Sequence, residues 1–232
     1  MALIDLTSFQ GNEKYDEFLV SLGETLGFSH ASYATTSLVT GDIHGFTTYP
    51  DEWEIHYATK GMQRFDPTLQ AAALSVAPVD WQRLREHEKF KLVFSDAHDF
   101  GISDRGLSIP IRGPYGDFGL LSVAHECSAE EWKKFLPTVI GDLQMAAVHL
   151  HDNVLNSDIL PKALARPTLS NRELEIMQWV AAGKSQQDIG DILSISHRTV
   201  EVHIRSGREK LGALTTAQAV GRAISLGLIH PS

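Results

Sequence analysis

The sequence predicts an α+β protein of two domains: an N-terminal α/β/α sandwich around an antiparallel sheet, and a smaller C-terminal domain built of helices alone. Three observations predict it. Apolar residues alternate at period two within residues 30–50 and 106–126 but recur at helical spacing around them, the pattern of strands flanked by helices. A polar stretch at residues 151–170, with Pro161 and Pro167, interrupts that periodicity. The charge changes sign across it: from Arg166 to Ser232 eight Lys and Arg face six Asp and Glu, a balance of +2, whereas the first 165 residues sum to -11. An acidic body joined to a mildly basic tail points to domains with different partners.

Within residues 13–28, Phe18, Leu19, Leu22 and Leu26 share a helix face and Gly27 closes the helix. The segment HASYATTSLVTGDIHGFTTYP reads as strand, turn around Gly41-Asp42, and strand. Helical segments are expected at residues 51–62, 66–75 and 80–95. The stretch GLSIPIRGPYGDFGLLSVAHE reads as a hairpin turning at Gly113-Pro114-Tyr115-Gly116. From Trp132 to Val154 an apolar stripe runs over about six helical turns, a face for internal core or for a second chain. The expected domains are residues 1–160 and 170–232, with a linker at 161–169.

The chain has 232 residues, 43% of them hydrophobic and 21% charged, and a formal net charge of -9. No apolar run reaches the roughly 18–20 residues of a membrane span, and the N-terminus lacks the basic flank and apolar core of a signal peptide, so no membrane partner and a cytoplasmic location are expected. The single cysteine, Cys127, forms no internal disulfide and no CxxC zinc site. Gly113-x-x-Gly116-x-x-Gly119 lacks the following helix and Lys-Ser/Thr of a phosphate loop, and His149-x-His151, placed on a surface helix, lacks a third metal ligand. Cys127 has no positioned base. The expectation is a protein with no catalytic residues, no metal and no cofactor.

The C-terminal segment carries the densest signal. Ser170-x-x-Glu173 is a capping box opening a helix with Leu174, Met177 and Val180 on one face, and Ser185 caps a second helix with Ile189, Ile192 and Leu193. After the turn Ser194-Ile195-Ser196, a third helix places Val200, Ile204, Gly207 and Leu211 on one side and Arg198, Glu201, Arg205 and Arg208 on the other. Periodicity alone also fits a small bundle with a solvated charged face. The order of caps, turn and charged helix favours a helix-turn-helix that enters a major groove. A last helix is expected from Thr216 to Leu226, ending at Gly227.

LSNRELEIMQWVAAGKSQQDIGDILSISHRTVEVHIRSGREKLGALTTAQAVGRAISLGLI resembles the LuxR-type helix-turn-helix along its whole length, with Arg172-Glu173, Gly183-Lys184-Ser185, Ile195-Ser196, Thr199-Val200, His203 and Lys210-Leu211-Gly212 in step. The resemblance puts Thr199, Val200, His203 and Lys210 on or beside the recognition helix. The candidate DNA-facing residues are Arg198, Thr199, Glu201, Val202, Arg205, Arg208 and Lys210. Glu201 stands where the family usually has Lys, Ser206 where Asn is usual, and Gly207 where a branched apolar residue is common. Glu201 removes a phosphate contact and offers an acceptor to cytosine N4. Gly207 is expected to cost its helix about 1 kcal/mol relative to Ala.

In the N-terminal part, Trp53 and Tyr57 at i and i+4 share a helix face, near Tyr49, Asp66-Pro67-Thr68, Trp81, Gly106 and Ser122. Taken alone, Asp66 is an N-cap with Pro67 at the first helical position, and the aromatics are core. The spacing also resembles the autoinducer-binding domain of LuxR-type quorum-sensing regulators, over roughly residues 1 to 160. That resemblance implies an N-acyl-homoserine lactone as ligand. Trp53 would donate to the lactone carbonyl, Asp66 would accept from the amide N–H, Tyr49 and Ser122 would meet the acyl carbonyl, and Tyr57, Thr68 and Trp81 would complete the wall, with Leu38, Phe46, Leu107 and Ile109 as further liners. It implies a homodimer on double-stranded DNA at a pseudo-palindromic operator, with RNA polymerase as a further partner. The rival readings are an orphan regulator, ligand-independent or sensing another small molecule, and a lactone-processing enzyme.

Overall fold

The computed structural model describes residues 13–36, 43–113, 117–156 and 167–230. The expected turns at Gly41-Asp42 and Pro114 to Gly116, the candidate liner Leu38 and most of the expected linker lie outside them. Two compact units are present, one carrying the sheet and the other the last four helices.

The first unit runs α1 (Glu13–Leu26), β1 (His30–Thr36), β2 (Ile43–Thr47), α2 (Asp51–Thr59), α3 (Pro67–Ala73), β3 (Val79–Asp80), α4 (Glu88–Asp99), β4 (Gly106–Arg112), β5 (Phe118–Ala124) and α5 (Ala129–Leu155). Its five strands are antiparallel in the order β2-β1-β5-β4-β3. The pleat sorts the side chains. Ala31, Tyr33, Leu107, Ile109, Leu121 and Val123 point to one face and join Phe18, Leu19 and Leu22 of α1 and Leu143, Ala147 and Leu150 of α5 in a core. Ser32, Ala34, Ser108, Ser122 and Ala124 fall on the other face, over which Trp53, Trp81, Phe90, Val93, Phe94 and Ala97 form a second cluster. Leu107 and Ile109, expected as liners of a cavity, are therefore on the wrong face for it, one residue out of phase with Ser108.

Local capping accounts for another difference. Instead of one helix over residues 80–95, Asp80 pairs with Leu107 at the sheet edge and caps a short turn of 3-10 helix at Trp81–Leu84, and His87 caps a new helix that runs on to Asp99. The long helix starts earlier than its apolar stripe, at the Ser128–Glu131 capping box, and Trp132, Val139, Leu143, Ala147, Leu150 and Val154 are buried along it. His151, expected on the surface, is buried, with its Nδ1 2.6 Å from the Tyr33 hydroxyl. Its place is fixed from the facing strand, where a Cβ on Gly119 would lie 2.3 Å from that ring nitrogen.

The second unit contains α6 (Asn171–Ala181), α7 (Gln186–Leu193), α8 (His197–Lys210) and α9 (Thr216–Ser225). Ser170, Ser185, Ser196 and Thr215 cap them in turn. The turn between α7 and α8 is tight: Ile195 N–H donates to the Gly190 carbonyl at 2.9 Å, and a Cβ at Gly190 would lie 2.8 Å from the Ile195 carbonyl oxygen. Val200, Ile204 and Gly207 of α8 and Leu211 at its C-cap are buried, as their spacing predicts. Gly207 is more than a propensity cost. A Cβ there would meet the buried Met177 Cε at 3.0 Å, so the missing side chain lets α8 approach α6.

Candidate functional site

Between the second face of the sheet and α2 to α4 lies a cavity of about 370 Å3, a small-molecule volume. Tyr49, Trp53, Tyr57, Asp66, Thr68, Trp81 and Ser122, seven residues spread over 74 positions of sequence from Tyr49 to Ser122, all line it. Three local devices bring them together. Helix α2 stacks Trp53 and Tyr57 on one face, with ring centroids 5.5 Å apart. His56 of the same helix stacks on Trp53 and binds Asp96 of α4 at 2.8 Å, which fixes the helix against its neighbour. Asp66 then caps α3.

That cap is at the same time the polar centre of the cavity. One Asp66 carboxylate oxygen accepts from the Thr68 backbone N–H at 2.8 Å and the Thr68 hydroxyl at 2.7 Å, and the other accepts from the Tyr57 hydroxyl at 2.8 Å. Asp66 thus serves as helix cap and as cavity carboxylate together. Burial pushes its pKa above the usual carboxylate range, and the bonds from Thr68 and Tyr57 oppose the shift. Burial and the Asp66 charge push the Tyr57 and Tyr49 phenols well above their ordinary range, with Ser32 partly opposing the shift at Tyr49. Both therefore stay protonated and keep an O–H to donate.

Trp81 forms the wall nearest Gly106. Its indole Nε1 donates to the Ser108 hydroxyl at 2.9 Å, and that hydroxyl is 2.9 Å from the one on Ser122. No hydrogen bond joins the Trp53 indole N–H to another described residue, and Trp53 lines the cavity. Phe46, one of the expected further liners, is at the cavity; so are Ser32, Glu54, Gln63, Leu69 and Ile102, which the sequence reading did not single out. Strand alternation held the signal for Ser32 and Ser108, both one step out of phase with buried apolar neighbours. None of the described lining residues is Lys, Arg or His, whereas two, Glu54 and Asp66, are acidic. Neutral or donor-bearing ligands suit such a lining, and a carboxylate ligand does not.

On the other unit, α8 exposes Arg198, Thr199, Glu201, Val202 and Arg205. The Thr199 hydroxyl is 2.8 Å from that of Ser196 and joins the helix cap. Two residues predicted beside them are committed within the unit. Arg208 donates to the Leu214 carbonyl, and Lys210 Nζ pairs with the Glu173 carboxylate at 2.7 Å. Ser206 donates to the same carboxylate at 2.7 Å, which gives the departure at that position a role. Among the described residues no group of His, Cys, Asp and Glu is arranged to hold a metal ion, and no helix is long and apolar enough to cross a membrane.

Residues 13–154 match a family described as the autoinducer binding domain, and residues 167–223 one described as bacterial regulatory proteins, luxR family. A putative HTH-type transcriptional regulator of Sinorhizobium fredii is 34% identical over 193 residues, an alignment covering 82% of this chain and 58% of that one. The chain thus spans less than two thirds of that relative. The transcriptional activator SolR of Ralstonia nicotianae is 33% identical over 217 residues, covering 91% of this chain and 90% of its own. A solved structure of SdiA in complex with octanoyl-rac-glycerol superposes with a TM-score of 0.78 at 24% identity, covering 98% and 94% of the two chains, and shares the fold.

Proposed function

The chain belongs to the LuxR family of bacterial transcriptional regulators, which are not enzymes, and we propose that it senses an N-acyl-homoserine lactone in the cavity of its autoinducer-binding domain. The observation that carries the proposal is the convergence of Asp66, Trp53, Tyr49 and Ser122 on one neutral-to-acidic cavity of small-molecule size. The assignment of roles follows from donor and acceptor types. Asp66 accepts from the amide N–H, the uncommitted Trp53 indole donates to the lactone carbonyl, and the Tyr49 and Ser122 hydroxyls donate to the acyl carbonyl. Tyr57, Thr68 and Trp81 hold these groups and wall the ring. Ligand stabilises a homodimer, whose recognition helices enter successive major grooves of a pseudo-palindromic operator about one helical turn apart, where the bound regulator meets RNA polymerase. The protein works in the cytoplasm, where the promoter is.

A ligand that binds only the folded chain adds RT ln(1 + [L]/Kd), about 4 kcal/mol at a thousandfold excess over Kd. Melting should rise by several degrees with the matching member of a panel of acyl-homoserine lactones spanning short to long chains, with and without the 3-oxo group. The ring-opened acyl-homoserine, a carboxylate, should give no shift. Asp66→Asn should keep the fold, since Asn caps a helix as well as Asp, yet lose the charge-assisted bond, roughly 1.5–3 kcal/mol of binding. Trp53→Phe should reduce the shift by deleting the donor. If no member of the panel moves the melting temperature or alters operator binding, the lactone assignment fails and the orphan-regulator reading replaces it.

DNA contact is assigned to the exposed face of α8, with Arg198, Thr199, Glu201, Val202 and Arg205 in the groove and Arg208 and Lys210 bracing the helix behind it. Arg205→Ala should weaken operator binding about tenfold with an unchanged circular dichroism spectrum, and should lower the salt slope by about 1 if the guanidinium meets a phosphate. Unaltered operator affinity would place the DNA on another face.

A further inference from the structure

Ser108 lies in the middle of β4 with no exposed surface, and it is absent from the cavity lining although Trp81 and Ser122 on either side of it are part of that lining. It holds both of them. The Trp81 indole Nε1 donates to the Ser108 oxygen at 2.9 Å, and the Ser108 and Ser122 oxygens are 2.9 Å apart. These are the hydroxyl's hydrogen bonds to described residues. Their direction follows from elementary chemistry. An indole N–H only donates, so Ser108 accepts from Trp81, and its own proton needs an acceptor. Were Ser122 the donor in the serine pair, the Ser108 O–H would be left buried without a partner, a costly arrangement. Ser108 therefore donates to Ser122, and the Ser122 proton is left to point at the cavity.

We propose that Ser108 is a positioning residue: through the chain Trp81 to Ser108 to Ser122 it fixes the Ser122 hydroxyl as a donor and aims it at a carbonyl oxygen of the ligand. The inference rests on the acyl-lactone reading for the class of ligand. The sheet register supports it, because Ser32, Ser122 and Ser108 lie side by side on β1, β5 and β4, forming a hydroxyl row across the cavity face. At the far end of that row the Tyr49 hydroxyl interacts with Ser32 and stays protonated. Ser122 and Tyr49 thus both bring an O–H donor to the cavity lining, and an acceptor-only ligand oxygen suits them better than a hydroxyl that would have to compete with them.

The test is a titration of the full chain with N-octanoyl-homoserine lactone, read by intrinsic fluorescence, for wild type, Ser108→Ala, Ser122→Ala and the double variant. Loss of one aimed hydrogen bond should lower affinity about tenfold. Ser108→Ala should lose nearly as much as Ser122→Ala although it does not line the cavity, and the double variant should lose no more than the worse single one. Ser108→Thr, which keeps the hydroxyl, should bind within about twofold of wild type, with Ser108→Cys, a weaker donor, in between; these two also carry the test if the alanine variant fails to fold. Wild-type affinity in Ser108→Ala and Ser108→Cys, or losses that multiply in the double variant, would overturn the positioning role while leaving the lactone reading intact. If wild type binds neither this lactone nor its hexanoyl and dodecanoyl homologues, the lactone reading falls and takes the Ser108 assignment with it.

Discussion

Gly106→Ala should abolish the ligand response and lower the melting temperature by several degrees. A Cβ at this position would lie 2.3 Å from Trp81 Cε3, 2.4 Å from Cζ3 and 2.5 Å from the Val123 carbonyl oxygen. The oxygen belongs to the backbone of β5, which is paired with β4 along seven residues and has no room to retreat. The clash with that oxygen therefore strains the strand pair, and Trp81 must move as well, although it is nearly fully buried against Phe94, with ring centroids 5.3 Å apart. Overpacking of that kind costs about 1–3 kcal/mol, or about 2–4 °C of melting temperature per kcal/mol in a chain of this size. The functional loss exceeds the stability loss, because displacing the indole breaks its 2.9 Å bond to Ser108 and pushes the ring toward the cavity. Thermal melts with and without ligand, together with a ligand-dependent operator-binding assay, check both parts. An alanine variant with the wild-type melting temperature and the wild-type ligand shift would mean that Trp81 has another place to go.

Gly106 shows which parts of the site could be read before the fold. Its place in the site rests on the family resemblance, since the Trp81 ring and Val123 carbonyl that demand a glycine there are distant in sequence, whereas the Trp53 and Tyr57 pair and Asp66-Pro67 are short-range patterns that helix spacing and capping rules turn into geometry directly. All seven expected ligand residues meet at one cavity because each is placed by its own helix, cap or strand. What the sequence hid was set by pairing between distant segments. Ser32 and Ser108 acquire their meaning from strand register, and Leu107 and Ile109 lose theirs for the same reason: a one-residue step moves a side chain to the other face. His151 looked solvent-exposed near the end of a long helix until Tyr33 of β1 came to meet it. The break between Asp80 and His87 was invisible to periodicity because two local caps, each accepting from a backbone N–H two residues on, overrode the apolar spacing.

In the DNA-binding domain the same limit applied to charge. Eight basic residues counted along the sequence do not make eight DNA contacts, since Arg172 pairs with Glu175, Arg222 donates to the Leu211 carbonyl and Lys210 pairs with the Glu173 carboxylate. The surface left for phosphate is smaller than the composition promises. Single-copy affinity for DNA should accordingly be weak, so that pairing of two copies matters more than total charge.

Lys210 leads to the second large effect. Glu173, the third residue of α6, is 4% exposed, yet its carboxylate receives Lys210 Nζ at 2.7 Å, the Ser206 hydroxyl at 2.7 Å and the Ser170 backbone N–H at 2.6 Å. Burial alone would push this carboxyl up; the bonds from Lys210, Ser206 and Ser170 outweigh it and hold the pKa at about 2 instead of 4.5. A folded-state pKa below the unfolded one stabilises the fold above about pH 4.5, and that contribution is lost as pH falls toward 2. Glu173→Gln imitates the protonated acid and still completes the capping box. At neutral pH it should destabilise the helix-turn-helix by about 3 kcal/mol, the linkage value of such a shift. The difference between variant and wild type should shrink steadily below pH 4.5 and vanish near pH 2. Because Ser206 and Lys210 both sit on α8, the variant should also loosen the recognition helix, so operator affinity falls although no DNA-facing side chain has changed. Hydrogen exchange resolved over α6 and α8 at several pH values, paired with operator titrations at neutral pH, measures both effects. Equal protection of wild type and Glu173→Gln at pH 7 would show that the buried carboxylate is not what ties α8 to α6, and would leave the packing of Met177 against Gly207 as the tie.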